Sequence, residues 1–163
     1  MGISFDYPKP NTLVEYLIQI VKGSSFYVLD SFAGSGTTGH AEGVKVTYDP
    51  DTVSMAEIYD MFMGTHDPTQ LNRQGNDVGT QYRSAIFPLD DAQREEAEAA
   101  IDRWNESHDG EAVTTIESGE WYPAEDYHQE YWEGEGQRNP YCLAVIPPKL
   151  IKLRKRFADK VNG

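Results

Sequence analysis

The sequence predicts an α+β fold, one sheet with helices packed on it as a two-layer sandwich, and three observations predict it. Segments around residues 42–48 and 82–87 place apolar side chains at every second position, as half-buried strands do. Segments at helical spacing, two of them opened by capping boxes at Thr12 and Ser54, alternate with the strands. A chain of 163 residues fits one domain and can bury a substantial core.

The elements follow in order. Thr12 and Glu15 have capping-box spacing, Leu13, Val14, Leu17, Ile18 and Val21 share a helical stripe, and Gly23 can end the helix. Residues 26–32 form a short apolar run that reads as a buried strand, broken by the glycine-rich turn 33–39. Glu42, Val44, Val46 and Tyr48 share one face of a second strand, which Asp49-Pro50 ends. Ser54 and Glu57 cap a helix reaching about Thr65. Residues 66–79 form a polar loop rich in turn formers, and loops this long are usually functional or disordered.

Residues 82–87 read as a strand closed by Pro88, with Tyr82, Ser84 and Ile86 on one face. Residues 91–105 form a charged amphipathic helix with Ala97, Ile101 and Trp104 on one side. A short strand is expected over 113–117, and 121–141 is aromatic and acidic with little periodicity. Pro147 and Pro148 precede a final helix over 150–157. No internal repeat or low-complexity tract interrupts the pattern.

Composition removes several classes of function. Twenty-seven acidic against 14 basic residues give a formal charge of -13. Such a surface repels phosphate backbones and anionic lipid, so nucleic acid and membranes are not the expected partners. The cations Lys149, Lys152, Arg154, Lys155 and Arg156 read as the solvated face of the last helix. The single cysteine, Cys142, cannot form an internal disulfide. No basic segment followed by a long apolar run opens the chain, and a cytoplasmic location is the expectation.

Several side chains could carry chemistry. Glu42 points toward the core side of its strand, where a buried carboxyl favours its neutral, proton-donating form. It could equally sit partly solvated at the strand start or pair with Arg83. Tyr82 in an apolar pocket could donate to a developing oxyanion, or be a core aromatic with a satisfied hydroxyl. Asp67 and Asp77 fit turn and cap roles. His40, His66, His108 and His128 lack companion ligands at metal-binding spacing, so no metal is expected. The glycine-rich turn 33–39 lacks the acidic residue and crossover helix of a nucleotide site.

Two resemblances meet in the chain. His40-Ala41-Glu42, the run from Val44 to Pro50, and above all His66-Asp-Pro-Thr-Gln-Leu-Asn-Arg-Gln-Gly-Asn-Asp-Val-Gly-Thr-Gln-Tyr-Arg-Ser84 resemble the type-A peptide methionine sulfoxide reductases. The likeness continues through Ala124-Glu-Asp-Tyr-His-Gln-Glu-Tyr131 and covers residues 40–157. Residues 5–41, with Pro8-Lys9-Pro10 and Asp30-Ser-Phe-Ala-Gly-Ser-Gly-Thr-Thr-Gly39, are similar to the closing part of amino-methylating DNA methyltransferases, where these segments hold S-adenosylmethionine. The catalytic Asp-Pro-Pro-Tyr type motif of those enzymes is absent. The expectation is a chimera, with residues 1–39 methyltransferase-like but packed into the same domain as a reductase-like 40–163.

The reductase resemblance implies an oxidoreductase of protein repair under oxidative stress, reducing methionine sulfoxide with a thioredoxin-like reductant and no bound cofactor. In that family a cysteine in a Gly-Cys-Phe-Trp motif attacks the sulfoxide sulfur as thiolate, and a second thiol resolves the sulfenic acid. This chain has no such motif. By resemblance Glu42 corresponds to the acid that protonates the sulfoxide oxygen, Tyr82 to a hydrogen-bonding tyrosine and Asp77 to a pocket aspartate. The family's second tyrosine aligns at best with Phe32, which has no hydroxyl. Cys142, in Asn139-Pro-Tyr-Cys142, sits where members often carry a recycling cysteine; it could substitute for the missing nucleophile, or pack as an ordinary small residue. The expected protein is therefore a reductase scaffold with weak or no turnover, against two alternatives. One is a methionine sulfoxide binding module, the other a remnant S-adenosylmethionine-binding fragment.

Overall fold

A computed structural model describes residues 26–27, 41–119 and 134–157. Strand β1 (Phe26–Tyr27) pairs antiparallel with β2 (Lys45–Val46), Phe26 facing Val46. Helix α1 (Met55–Thr65) follows, then the hairpin of β3 (Arg73–Gln74) and β4 (Asp77–Val78). A 3-10 turn at Thr80–Tyr82 leads into β5 (Ala85–Ile86), helix α2 (Asp91–Ser107) and β6 (Thr115–Ile116). A second 3-10 turn at Gly136–Arg138 opens onto helix α3 (Pro140–Arg156). Among the described residues no helix is long and apolar enough to cross a membrane.

Local chemistry sets the helix starts. The Ser54 hydroxyl accepts from the Glu57 N–H at 3.2 Å while the Glu57 carboxylate accepts from the Ser54 N–H at 2.9 Å, the reciprocal box expected at α1. Asp90 opens α2 in the simpler way, accepting from the Gln93 N–H at 2.8 Å. Asn139 accepts from the Tyr141 N–H at 2.9 Å at the head of α3.

Both α1 and α2 stop on a histidine. His66 and His108 each place Nδ1 on the carbonyl four residues back, Phe62 at 2.8 Å and Trp104 at 2.9 Å. Each ring also lies against the aromatic ring at that position, with centroids 4.4 and 4.3 Å apart. A donor placed there satisfies a carbonyl that the ended helix leaves open.

Packing brings these pieces together around α1. Helix α2 crosses between β5 and β6, which pair in parallel with Ala85 facing Thr115, and it lies against α1. Helix α3 packs on α1 as well. The buried set is Val53, Met61 and Met63, Ile86, Ala97 and Ala100, then Cys142, Ile146 and Leu150. Each large aliphatic or thioether side chain so buried stabilises the fold by roughly 1.5–3 kcal/mol. The architecture is α+β, as the alternating pattern predicts.

Four expectations change in detail. The strand at 82–87 is shorter, because Tyr82 belongs to the 3-10 turn: its N–H donates to the Gly79 carbonyl at 3.0 Å. Gly79 has φ +152, a conformation that side-chain-bearing residues rarely adopt, which favours glycine there. The strand at 42–48 narrows to Lys45–Val46, although the alternation of sheltered Val44, Val46 and Tyr48 with exposed Lys45 and Thr47 holds.

The final helix begins at Pro140 rather than after Pro147 and Pro148, and carries both prolines inside it. Each proline removes one rung of the helix ladder. Burial of Cys142, Ile146 and Leu150 at four-residue spacing offsets that loss. On α2, Ala97 and Ala100 are buried while Ile101 and Trp104 are only half-buried. The expected helix over 12–23 and the turn 33–39 lie outside the described residues.

Candidate functional site

The polar loop 66–79 is a self-bonded structure. Asp67 accepts from the Thr69 N–H and hydroxyl at 3.1 and 2.7 Å and from the Gln70 side chain at 2.9 Å. Gln70 accepts from the Gly75 N–H at 2.7 Å, and Gln74 from the Asp67 N–H at 3.3 Å. These bonds hold the Asp67 carboxyl below the usual carboxylate range, Thr69 contributing most. Asn72, at φ +50, accepts from the Gly79 N–H at 2.9 Å and closes the hairpin. Most of the loop's polar side chains are spent on its own shape. Asp77 differs, because its carboxylate accepts a bond from another element.

That bond comes from the Tyr141 hydroxyl, 3.2 Å away in the first turn of α3. Burial, then the charge of Asp77, raises the Tyr141 phenol above its ordinary value, so it stays protonated and donates. Lys149, two turns further along α3, is half-buried; burial lowers its pKa while Asp77 opposes the shift. Tyr141 and Lys149 escaped the sequence reading. The signal for Tyr141 was its place beside Cys142 at a helix start; nothing in the sequence set Lys149 apart from its exposed basic neighbours.

Glu42 meets the 3-10 turn that follows this hairpin. It lies half-buried in extended chain just before β2, and its N–H donates to the Gln81 carbonyl at 3.0 Å. This sets Glu42 beside the 3-10 turn whose last residue is Tyr82, itself half-buried with an inaccessible phenolic oxygen. Glu42, Tyr82 and Asp77 are thus linked through one short stretch of backbone. The Tyr82 phenolic oxygen is closed to solvent, so it meets a small ligand only if its turn opens.

Arg83 forms a bidentate pair with Glu117, at 2.7 Å through both Nε and Nη2, and donates from Nη1 to the Thr80 carbonyl at 2.8 Å. It thereby braces the Tyr82 turn against β6. The Arg83 guanidinium, followed by the Thr115 hydroxyl, holds the Glu117 carboxyl below its ordinary value.

Cys142 has only 1% of its surface exposed, and burial pushes its thiol pKa up. In this conformation it is a protonated core group, in keeping with the reading of a small packing residue. Histidine contributes structure here too. His66 Nε2 lies 2.7 Å from the Ser84 hydroxyl, which lies 2.7 Å from that of Thr114. With Nδ1–H on the Phe62 carbonyl, Nε2 accepts from Ser84, and the ring is neutral. Burial, opposed by the Phe62 bond, pushes its pKa down to about 4. Among the described residues no group of three His, Cys, Asp or Glu could hold a metal ion. His40 and His128 lie outside them.

Comparison with known proteins gives the family. Residues 31–161 match the family model described as peptide methionine sulfoxide reductase, and residues 3–43 match one described as DNA methylase. The peptide methionine sulfoxide reductase MsrA of Erwinia tasmaniensis is 64% identical over 124 residues, 76% of this chain and 70% of that protein. The enzyme of the same name from Clavibacter michiganensis is 54% identical over 133 residues, 79% of this chain and 74% of the relative.

Among solved structures, Mxr1 of Saccharomyces cerevisiae in reduced form superposes with a TM-score of 0.61 at 30% identity, covering 78% of each chain. Methionine sulfoxide reductase A of Corynebacterium diphtheriae gives 0.56 at 33% identity, over 79% of this chain and 70% of that one.

Proposed function

We propose, from the premise that this chain belongs to the peptide methionine sulfoxide reductase family, that it binds methionine sulfoxide, free or in peptides, and reduces it weakly or not at all. The observation that carries this reading is the link from Glu42 through Gln81 to Tyr82, made while the only thiol lies buried. A sulfoxide oxygen is strongly polarised and accepts hydrogen bonds well. Glu42 is the donor to it in this proposal, joined by Tyr82 once its turn opens, with Asp77 beside them.

Reduction needs more than binding. The sulfoxide gives up oxygen as water when two thiols become one disulfide, and the first thiol must attack sulfur as thiolate. The sequence offers Cys142 alone, and its pKa is raised. A thioredoxin-like reductant would have a role only if that thiol were exposed and reacted.

Calorimetry with methionine-S-sulfoxide, run beside a thiol-dependent turnover assay on the wild type and Cys142→Ser, tests the proposal. Binding that weakens in Glu42→Ala, with negligible turnover, is the expected result. Turnover that Cys142→Ser abolishes would make the protein an enzyme with a relocated nucleophile. Absence of binding would overturn the reading.

The DNA methylase match supports a second proposal, that the chain joins two ancestries at Thr38 to Ala41. The pairing of β1 with β2 supports their packing as one domain. Sequencing the source locus across the codons for Asp30 to Pro50 tests the junction, and an uninterrupted reductase gene there would remove it. An S-adenosylmethionine-dependent rise in melting temperature would revive the methyltransferase alternative. A cytoplasmic location is likewise a proposal, tested by fractionating the source cells.

A further inference from the structure

The segment that carries Asp77, Gln81 and Tyr82 begins and ends at one buried cluster. Its first root is His66, which ends α1, and its last is Ser84, which precedes β5. Gln81 in turn accepts the Glu42 N–H, so Glu42 is placed by this segment as well. Both roots are held by three consecutive residues, Val113, Thr114 and Thr115. The Val113 N–H donates to the Pro68 carbonyl at 2.8 Å, and the Thr115 N–H donates to the Ser84 carbonyl at 3.0 Å. Between them the Thr114 hydroxyl lies 2.7 Å from that of Ser84. Pro68 is fully buried and Ser84 is 5% exposed, so water competes little for these bonds.

One side chain joins the two roots directly. His66 Nε2 lies 2.7 Å from the Ser84 hydroxyl, 18 residues away in sequence. Its other nitrogen, Nδ1, faces the Phe62 carbonyl at 2.8 Å, which can only accept, so Nδ1 carries the proton and Nε2 accepts. Ser84 therefore gives its one proton to His66, and the proton between the two hydroxyls comes from Thr114. The ring thus sets the direction of the whole chain of bonds. A segment closed in this way loses less entropy when it orders around a ligand than an open one would.

We propose that His66 is a positioning residue for the sulfoxide site, acting through Ser84 to fix the segment that bears Asp77, Gln81 and Tyr82. The inference rests on the reading of these residues as a methionine sulfoxide site. His66 itself touches no ligand. When the turn at Thr80–Tyr82 opens, Tyr82 moves from a root that the His66–Ser84 bond keeps in place. The bond to Phe62, by contrast, serves the end of α1 and not the site.

Two substitutions separate the two bonds, because an amide both donates and accepts. The short side chain of His66→Asn keeps a donor where Nδ1 stands and loses Ser84. The longer one of His66→Gln keeps an acceptor where Nε2 stands and loses Phe62. Calorimetry with methionine-S-sulfoxide at neutral pH is run on both, on Ser84→Ala and on the wild type, with urea unfolding and circular dichroism of each. His66→Gln is expected to keep its affinity although it is destabilised. His66→Asn and Ser84→Ala are each expected to bind about tenfold more weakly while still native. Equal weakening in the Asn and Gln variants, or undiminished affinity in Ser84→Ala, would overturn the inference and leave the binding reading standing. A wild type that binds no sulfoxide would remove both. If His66→Asn does not fold, Ser84→Ala decides alone.

Discussion

The Tyr141 hydroxyl donates to the Asp77 carboxylate across 3.2 Å, tying the first turn of α3 to the hairpin that carries the candidate pocket aspartate. The residue after Tyr141 is the buried Cys142, so one bond bears both on the Asp77 hairpin and on the shelter of the thiol. Tyr141→Phe is expected to cost about 1 kcal/mol in urea unfolding and to speed labelling of Cys142 by a thiol reagent. Unchanged labelling in a measurably destabilised variant would mean the bond does not guard the thiol.

Cys142 itself should behave as a core residue. Cys142→Ser places a hydroxyl among apolar side chains and is expected to cost roughly 1–3 kcal/mol. In the native wild type, labelling should be limited by opening of the structure and accelerate in denaturant. Immediate stoichiometric labelling without denaturant would contradict the buried placement.

Acid should weaken the protein through His66. Its pKa is about 4 when folded against an ordinary 6.5, so between these values the unfolded chain binds a proton that the native state refuses. Stability is unaffected by this group above 6.5 and falls as pH drops toward 4, by at most about 1.4 kcal/mol per pH unit. Urea midpoints measured down that range should show the fall, and His66→Gln should flatten it. A wild-type midpoint that stays level from neutral pH to pH 4.5 would exclude a neutral, buried His66.

The Arg83–Glu117 pair predicts the behaviour of another substitution. Glu117→Gln should cost about 1–3 kcal/mol at neutral pH, because it removes a bidentate charge-assisted contact. The folded carboxyl lies below its ordinary 4.5, so the wild type's advantage is complete above that pH and is lost as the carboxylate protonates below it. Chemical unfolding of both proteins at neutral and acid pH checks this, and a constant difference between them would disprove it.

The helices were legible because capping signals act locally: Ser54 with Glu57, and the stripe containing Ala97, mark their positions without help from the rest of the chain. The Tyr82 turn was less legible. Its shape depends on a glycine conformation and on Arg83 reaching Glu117, 34 residues away. Glu42 and Tyr82 could be singled out by alternation and resemblance. Their junction through Gln81 is a backbone contact that no side-chain pattern encodes. The prolines of α3 misled for a related reason, since tertiary burial of Ile146 and Leu150 overrode a local breaker.

Those prolines also divide α3 unequally in time. Lacking amide hydrogens at 147 and 148, the helix cannot supply the usual donors to the carbonyls of Leu143 and Ala144, so its ladder is weakest between the turn bearing Tyr141 and the turns bearing the cations. The leading turn is then able to unzip as a unit of its own while the trailing half stays docked on α1. In hydrogen exchange, amides around Cys142 should lose protection earlier than those around Leu150. Access to the only sulfhydryl becomes a matter of how often one short segment breathes, not of how stable the whole fold is.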